Sequence, residues 1–228
     1  YIGKTPTSVP LTSSDITDSI ISLPKLTDGT DGNLISYDTS GNPVAVATGN
    51  DGQVLTSAGA GAPPVFETLP VGGITIADQW RLTTDFSGDA DPLSANLERI
   101  DTSGQGTIGS AMTVSSGIFT FPSTGIYLVT FTVSGYYNGE NHYATGVVQV
   151  TTNNSSYTNV AAGENGHGPT GGSNIYELTT ISTLIDVTNT SNVKVKFKID
   201  NQNNSANIMG NPNGSTYTNM MFIRLGDT

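Results

Sequence analysis

The stretch Gly117 to Val133, GIFTFPSTGIYLVTFTV, limits the possible folds more than any other part of the chain. Side chains alternate across a β-strand, so Tyr127, Val129, Phe131 and Val133 share one face, and Ile126, Leu128, Thr130 and Thr132 the other. Both faces are rather apolar. Such a strand must be covered twice, once by a partner sheet and once by something else, a role that a neighbouring subunit can fill. With Phe119 and Phe121 just before it, this segment is the predicted core and trimer-forming strand pair.

Further period-two runs follow at Ala77 to Thr83, Thr145 to Thr151, Leu178 to Val187, Val193 to Ile199 and Tyr217 to Leu225. Gly, Asn and Ser turns link them, which predicts an all-β sandwich. In VKVKFKI, Val193, Val195, Phe197 and Ile199 alternate with Lys194, Lys196 and Lys198, so one face is buried and the other is solvated or faces acid groups. Composition agrees: 27 Gly and 11 Pro with only 12% charged residues describe strands and turns, with almost no helix. A hydrophobic content of 35% is modest for 228 residues, so part of the burial is expected from neighbouring chains. The chain has no Cys, hence no disulfides or thiolate metal sites, and assembly must supply the missing stability.

The formal charge of −11 repels phosphate backbones and no basic, aromatic cluster offsets it, which argues against a nucleic-acid partner. No apolar run approaches the ~18 residues of a membrane-spanning helix, so no membrane insertion is expected. The chain starts at Tyr1 without an initiator Met or a signal-like segment, which reads as a fragment with the missing part upstream.

Three regions follow from the pattern: an extended linker over 1–27, a repeat-containing β stalk over 28–71, and a head over 72–228. In the linker, Ser14 or Asp15 could cap one short helical turn. In the stalk, an offset of twenty residues matches Gly29, Asp31, Gly32, Gly41 and Pro43 to Gly49, Asp51, Gly52, Gly61 and Pro63. Leu34 and Ile35 answer Val54 and Leu55, and Val44 to Val46 answer Pro64 to Phe66. Each unit reads strand, turn, strand. So few apolar side chains cannot offset a chain entropy of ~1–2 kcal/mol per ordered residue, so the unit needs copies of itself around an axis.

The head resembles the jelly rolls of tumour necrosis factor and of the complement globular head. The residues that carry the likeness are Gly117-Ile118-Phe119-Thr120-Phe121-Pro122, then Gly125-Ile126-Tyr127 through Phe131. Ile76 to Gly88 and Tyr217 to Asp227 look similar to the first and last strands, with Val147 to Ser156 and Thr183 to Ile199 between them. Met220 and Met221 depart from the small residue usual before the final strand. The Gly-rich stretch Gly163 to Gly172 is longer than expected and reads as a variable surface loop. The resemblance covers about residues 75 to 228 and implies a homotrimeric TNF-like jelly roll. Asp51 to Pro70 looks like a phrase of tail-fibre and related virion proteins of marine bacteriophages, and Tyr1 to Ile16 resembles their linkers.

No residue pattern supports catalysis. His142 and His167 are the only histidines and lack the His-x-x-x-His spacing of zinc proteases. No Gly-x-Ser-x-Gly elbow, phosphate-cradling Gly-Lys-Ser/Thr or Rossmann fingerprint is present, and no pair of carboxylates stands out for acid/base work. No cofactor is expected, with one reservation: Asp85, Asp89 and Asp91 lie close enough in a turn to suit Ca²⁺, though an ordinary acidic turn explains them as well. The loop Gly135 to Tyr143 is the best recognition candidate, through Tyr136, Tyr137, His142 and Tyr143, since tyrosines suit sugar faces and protein epitopes alike. Plugging the sandwich edge or a subunit interface is the competing reading of these rings. His167 reads as an exposed loop residue or a ligand contact.

The expectation is a non-enzymatic, homotrimeric structural protein at a virion surface, extracellular, joined to other virion proteins through its N-terminal side. Its head would bind a host surface glycan or protein. A pure trimerisation clamp of a capsid or tail appendage, or a bacterial adhesin or filament subunit, would use the same fold.

Overall fold

The computed structural model of the chain describes residues 28–69 and 73–228. The predicted linker over 1–27, with its proposed helical turn, lies outside the described residues. The chain divides into two compact units between Gly72 and Gly73.

The first unit holds two antiparallel hairpins, β1 (Leu34–Tyr37) with β2 (Pro43–Val46), and β3 (Gln53–Thr56) with β4 (Val65–Thr68). Asp38 organises the first turn: its Oδ1 accepts the backbone N–H of Ser40 at 2.8 Å and of Asn42 at 2.9 Å. Gly41 sits at φ +80°, a conformation open to Gly and costly for most other residues. The self-similarity matches Pro43 to Pro63, whereas β2 starts at Pro43 and its counterpart β4 starts only at Val65. Two consecutive prolines, Pro63 and Pro64, have no N–H to give a ladder, so the second loop runs on until Val65.

The second unit is a sandwich of β5 (Ala77–Leu82), β6 (Phe86–Ser87), β7 (Leu97–Arg99), β8 (Thr113–Ser115), β9 (Ile118–Thr120), β10 (Gly125–Tyr137), β11 (Asn141–Thr151), β12 (Thr158–His167), β13 (Ile175–Val187), β14 (Lys194–Asn201), β15 (Asn207–Ile208) and β16 (Asn219–Gly226). One sheet runs β13, β10, β16, β5, β7, with β15 also beside β10 and β6 beside β15; the other runs β12, β11, β14, β9, β8. Strands that follow one another in sequence, such as β9 and β10 or β13 and β14, lie in opposite sheets, while β10 pairs with β16 from the far end of the chain. This is the eight-strand jelly roll built from β5, β9, β10, β11, β12, β13, β14 and β16. The fold is all-β.

The predicted core residues Phe119, Phe121, Tyr127, Val129 and Phe131 are all buried between the sheets. Phe197 packs with ring centroids 4.8 Å from Phe131, 5.5 Å from Phe119 and 6.0 Å from Phe222, and the Tyr127 hydroxyl donates a hydrogen bond to Ser123 O at 3.1 Å. Val193, Val195, Phe197 and Ile199 all face inward. The lysines between them meet partners: Lys196 pairs with Asp91 at 2.8 Å, Lys198 with Asp200 at 2.9 Å, and Lys194 donates to Thr120 Oγ1 at 3.0 Å. Met220 fills the core, and Met221 lies on the opposite face of β16. Asp78, fully buried, accepts from Trp80 Nε1, Arg99 Nε and the Met112 N–H, so its charge is paired and hydrogen-bonded as burial demands.

One expected loop is a strand. Gly163 to His167, read as part of a variable Gly-rich loop, forms the end of β12. Ala161, Gly163, Asn165 and His167 turn partly inward while Ala162, Glu164 and Gly166 turn out. A Cβ at Gly166 would run into the carbonyl oxygen of His142, so here glycine reports close strand approach and not a flexible turn.

Candidate functional site

Two surfaces of the sandwich carry the candidate residues: the end that bears the 138–140, 168–174 and 202–206 loops, and the outer face of the β13, β10, β16, β5 sheet.

At the loop-bearing end the structure gathers Tyr136, Tyr137, His142, Tyr143 and His167, which come from three different strands. His142 is exposed and its Nε2 contacts Glu140 Oε1, while its backbone N–H donates to Gln202 Oε1. Tyr143 is 40% exposed, and its carbonyl accepts the Gln202 N–H at 3.0 Å, which ties this strand start to the 202–206 loop. The Tyr137 ring lies over Gly139. Thr170 Oγ1 donates to Asn138 Oδ1 at 3.1 Å, joining the other two loops.

His167 departs from its expected exposure. Its side chain is only 9% exposed, with Nδ1 against Gly168 O at 2.8 Å and Nε2 3.1 Å from Glu177 Oε1. Burial pushes the Glu177 carboxyl above its ordinary pKa, against the charge of His167 and the Asn141 amide, which pull it down. Glu177 was not among the sequence candidates, yet a signal existed: it has the same parity as the inward Ile181 and Ile185 of its strand. Asn141, Asn165 and Asn201 also converge here and carried no local signal, because Asn is common throughout the chain.

The three aspartates proposed for Ca²⁺ do not converge. Asp85 Oδ1 accepts the Gly210 N–H, Asp89 Oδ1 the Asn201 N–H, and Asp91 pairs with Lys196, each at 2.8 Å. Among the described residues no group of three or more His, Asp or Glu is placed to hold a metal ion. The spacing that suggested a shared site instead pins one segment to three separate partners.

The outer sheet face follows from register. Leu128 stands between Leu184 and Ile223, Thr130 between Ser182 and Met221, and Thr132 between Thr180 and Asn219. The hydroxyls pair with one another, Thr130 with Ser182 at 2.9 Å and Thr132 with Thr180 at 3.1 Å. Toward the loop-bearing end the same face presents Leu178 and the Tyr136–Tyr176 pair, with ring centroids 5.5 Å apart. Leu184, Leu178 and Tyr176 on the edge strand of the sheet are 62%, 63% and 66% exposed, with Thr180 and Ser182 between the two leucines. Tyr136 therefore belongs to this face; its hydroxyl points to Asp85 Oδ2 at 3.5 Å.

No family model and no curated protein matches the chain. Among solved structures it is similar to murine APRIL at pH 5.0, with 14% identity, a TM-score of 0.47, and coverage of 66% of this chain and 98% of that one. It is similar also to Eiger TNF from S. frugiperda, with 14% identity, a TM-score of 0.48, and coverage of 68% and 96%. The jelly-roll assignment stands on the strand order within the chain itself.

Proposed function

We propose that this chain is a non-enzymatic, extracellular fibre or appendage protein whose TNF-like head assembles as a homotrimer and offers its loop-bearing end to a glycan or protein on a cell surface. The outer face of the β13, β10, β16, β5 sheet carries the reading. Leu184, beside Leu128 and Ile223, and Leu178 with Tyr176 further along the same edge strand leave large apolar side chains exposed that a lone soluble chain has reason to cover. Two sister copies around a threefold axis cover them and leave the loops free.

Tyr136 and Tyr176 then serve the contact between copies, and Tyr137, His142 and Tyr143 are left for the external partner. Three weak sites on one rigid head bind a repetitive surface far more tightly than one. The similarity of Asp51 to Pro70 to tail-fibre sequence supports a place on a virion, with other virion proteins joined through the N-terminal side.

Sedimentation of the chain at micromolar concentration tests the assembly. Three times the 23.6 kDa chain mass is expected. The double variant Leu178→Glu, Leu184→Glu is expected to sediment as a single folded chain, because six charges would meet at the axis side of the assembly. A wild-type protein that stays single and folded would overturn the proposal. Binding of the trimer to glycan arrays and whole cells, lost on Tyr143→Ala without loss of assembly, tests the recognition end.

A further inference from the structure

At the loop-bearing end of the sandwich a cavity of about 10 Å³ lies among β10, β11, β12, β13 and β14, room for one water-sized molecule. Seven buried side-chain atoms among the described residues have no hydrogen-bond partner in the protein, and five of them gather here: Asn141 Nδ2, Asn165 Oδ1, His167 Nε2, Glu177 Oε1 and Asn201 Oδ1. Native proteins pair nearly every buried polar group with protein or water. Such a concentration in one place points to an occupant.

The chemistry of that occupant follows from two amides whose orientation is set from outside the cavity. Asn141 Oδ1 accepts the Asn203 backbone N–H at 3.1 Å, which turns Nδ2, a donor, toward the cavity. Asn201 Nδ2 donates to Gly88 O at 2.9 Å, which leaves its Oδ1, an acceptor, on the cavity side. Asn165 and Glu177 add further oxygens, and His167 stands behind Glu177, 3.1 Å away but not aligned for a hydrogen bond. A metal cation would meet the Asn141 N–H, and an anion would meet the Glu177 carboxylate and the Asn201 oxygen. Only a small molecule that both donates and accepts satisfies the set.

We infer that this cavity is a binding site for one ordered water. The water accepts from Asn141 Nδ2 and donates to two of the facing oxygens of Asn165, Glu177 and Asn201. It thereby links β11 to two of the strands β12, β13 and β14, behind the 138–140 loop and the 168–174 segment. The inference is independent of what the head binds.

A crystal structure of the full chain at high resolution tests it, with parallel crystals soaked in thallium chloride. The expected result is one isolated peak about 2.6–3.2 Å from Asn141 Nδ2 and from two of the oxygens, with no anomalous signal after the soak. A thallium signal at that point would make the site cationic, and the lack of any peak would remove it; either overturns the inference. In solution, Asn165→Leu is expected to expel the water and to speed hydrogen exchange of amides 141–144 and 175–178 about tenfold or more. Ala161→Val, on the same strand outside the cavity lining, is the control for loss of packing. If both variants change exchange equally, the linking role assigned to the water is wrong.

Discussion

The hairpin unit, residues 28–69, and the sandwich, residues 73–228, are written in the same alternating, turn-punctuated style, yet they use it differently. In the hairpins the strands are four residues long and Val46 is the one buried hydrophobic side chain among the described residues there, while Leu34, Ile35, Tyr37 and Leu55 are exposed. Turn geometry, backbone N–H groups bonded to the side-chain oxygens of Asp38 and Asn33, and the Thr48 hydroxyl donating to Asp31 O do much of the holding. In the sandwich, β10 and β13 run for thirteen residues, and the core packs aromatic rings such as Phe119, Phe131, Phe197 and Phe222 among aliphatic side chains from both sheets. Alternation makes a strand; a second sheet facing it makes a core.

The largest effect is expected where that difference is greatest. Phe197→Ala removes a ring that touches three others, and should cost the sandwich about 3–5 kcal/mol in denaturant unfolding while leaving hairpin amide shifts unchanged. A shift of both regions together would mean that they unfold as one. Tyr127→Phe keeps the ring and loses only the hydrogen bond to Ser123, so about 0.5–1.5 kcal/mol is expected from the same measurement. A loss as large as that of Phe197→Ala would show that the hydroxyl, and not the packing, holds that end of the core.

In the hairpins, Ile35→Ser should change the stability of an unassembled chain by no more than about 0.5 kcal/mol, since the side chain is 69% exposed. A substantially larger loss in the assembled protein than in the dissociated one, read by thermal unfolding, would place other copies over that face. The smallest effect is local. Hydrogen bonds from the Asn42 backbone first, then from its side chain, hold the Asp38 carboxyl below its ordinary value of 3.8. The unfolded chain therefore binds the proton first as the pH falls, so Asp38's contribution is complete above that value and is lost as the pH passes down through the depressed native pKa. An acid transition in the Ser40 and Asn42 amide signals is expected, and Asp38→Asn should abolish it.

Much of the sandwich was legible in the chain. Parity alone grouped Tyr127, Val129 and Phe131 on one face and Val195, Phe197 and Ile199 on another, because alternation is a local property of an extended backbone. The end of β12 was not legible: its Gly163 and Gly166 look like turn residues until the backbone of β11 beside Gly166 shows why no side chain fits there. The three aspartates failed for the complementary reason, since nearness in sequence said nothing about where Gly210, Asn201 and Lys196 would lie.

The sequence by itself determined that the chain is all-β and which faces of its strands are apolar. Only the tertiary structure decided which apolar faces stay open, and that Asn141, Asn165, Glu177 and Asn201 meet. Those outcomes depend on which strands pair across the whole chain, with β10 set between β13 and β16 and β14 beside β11, and no local pattern encodes that choice of partner.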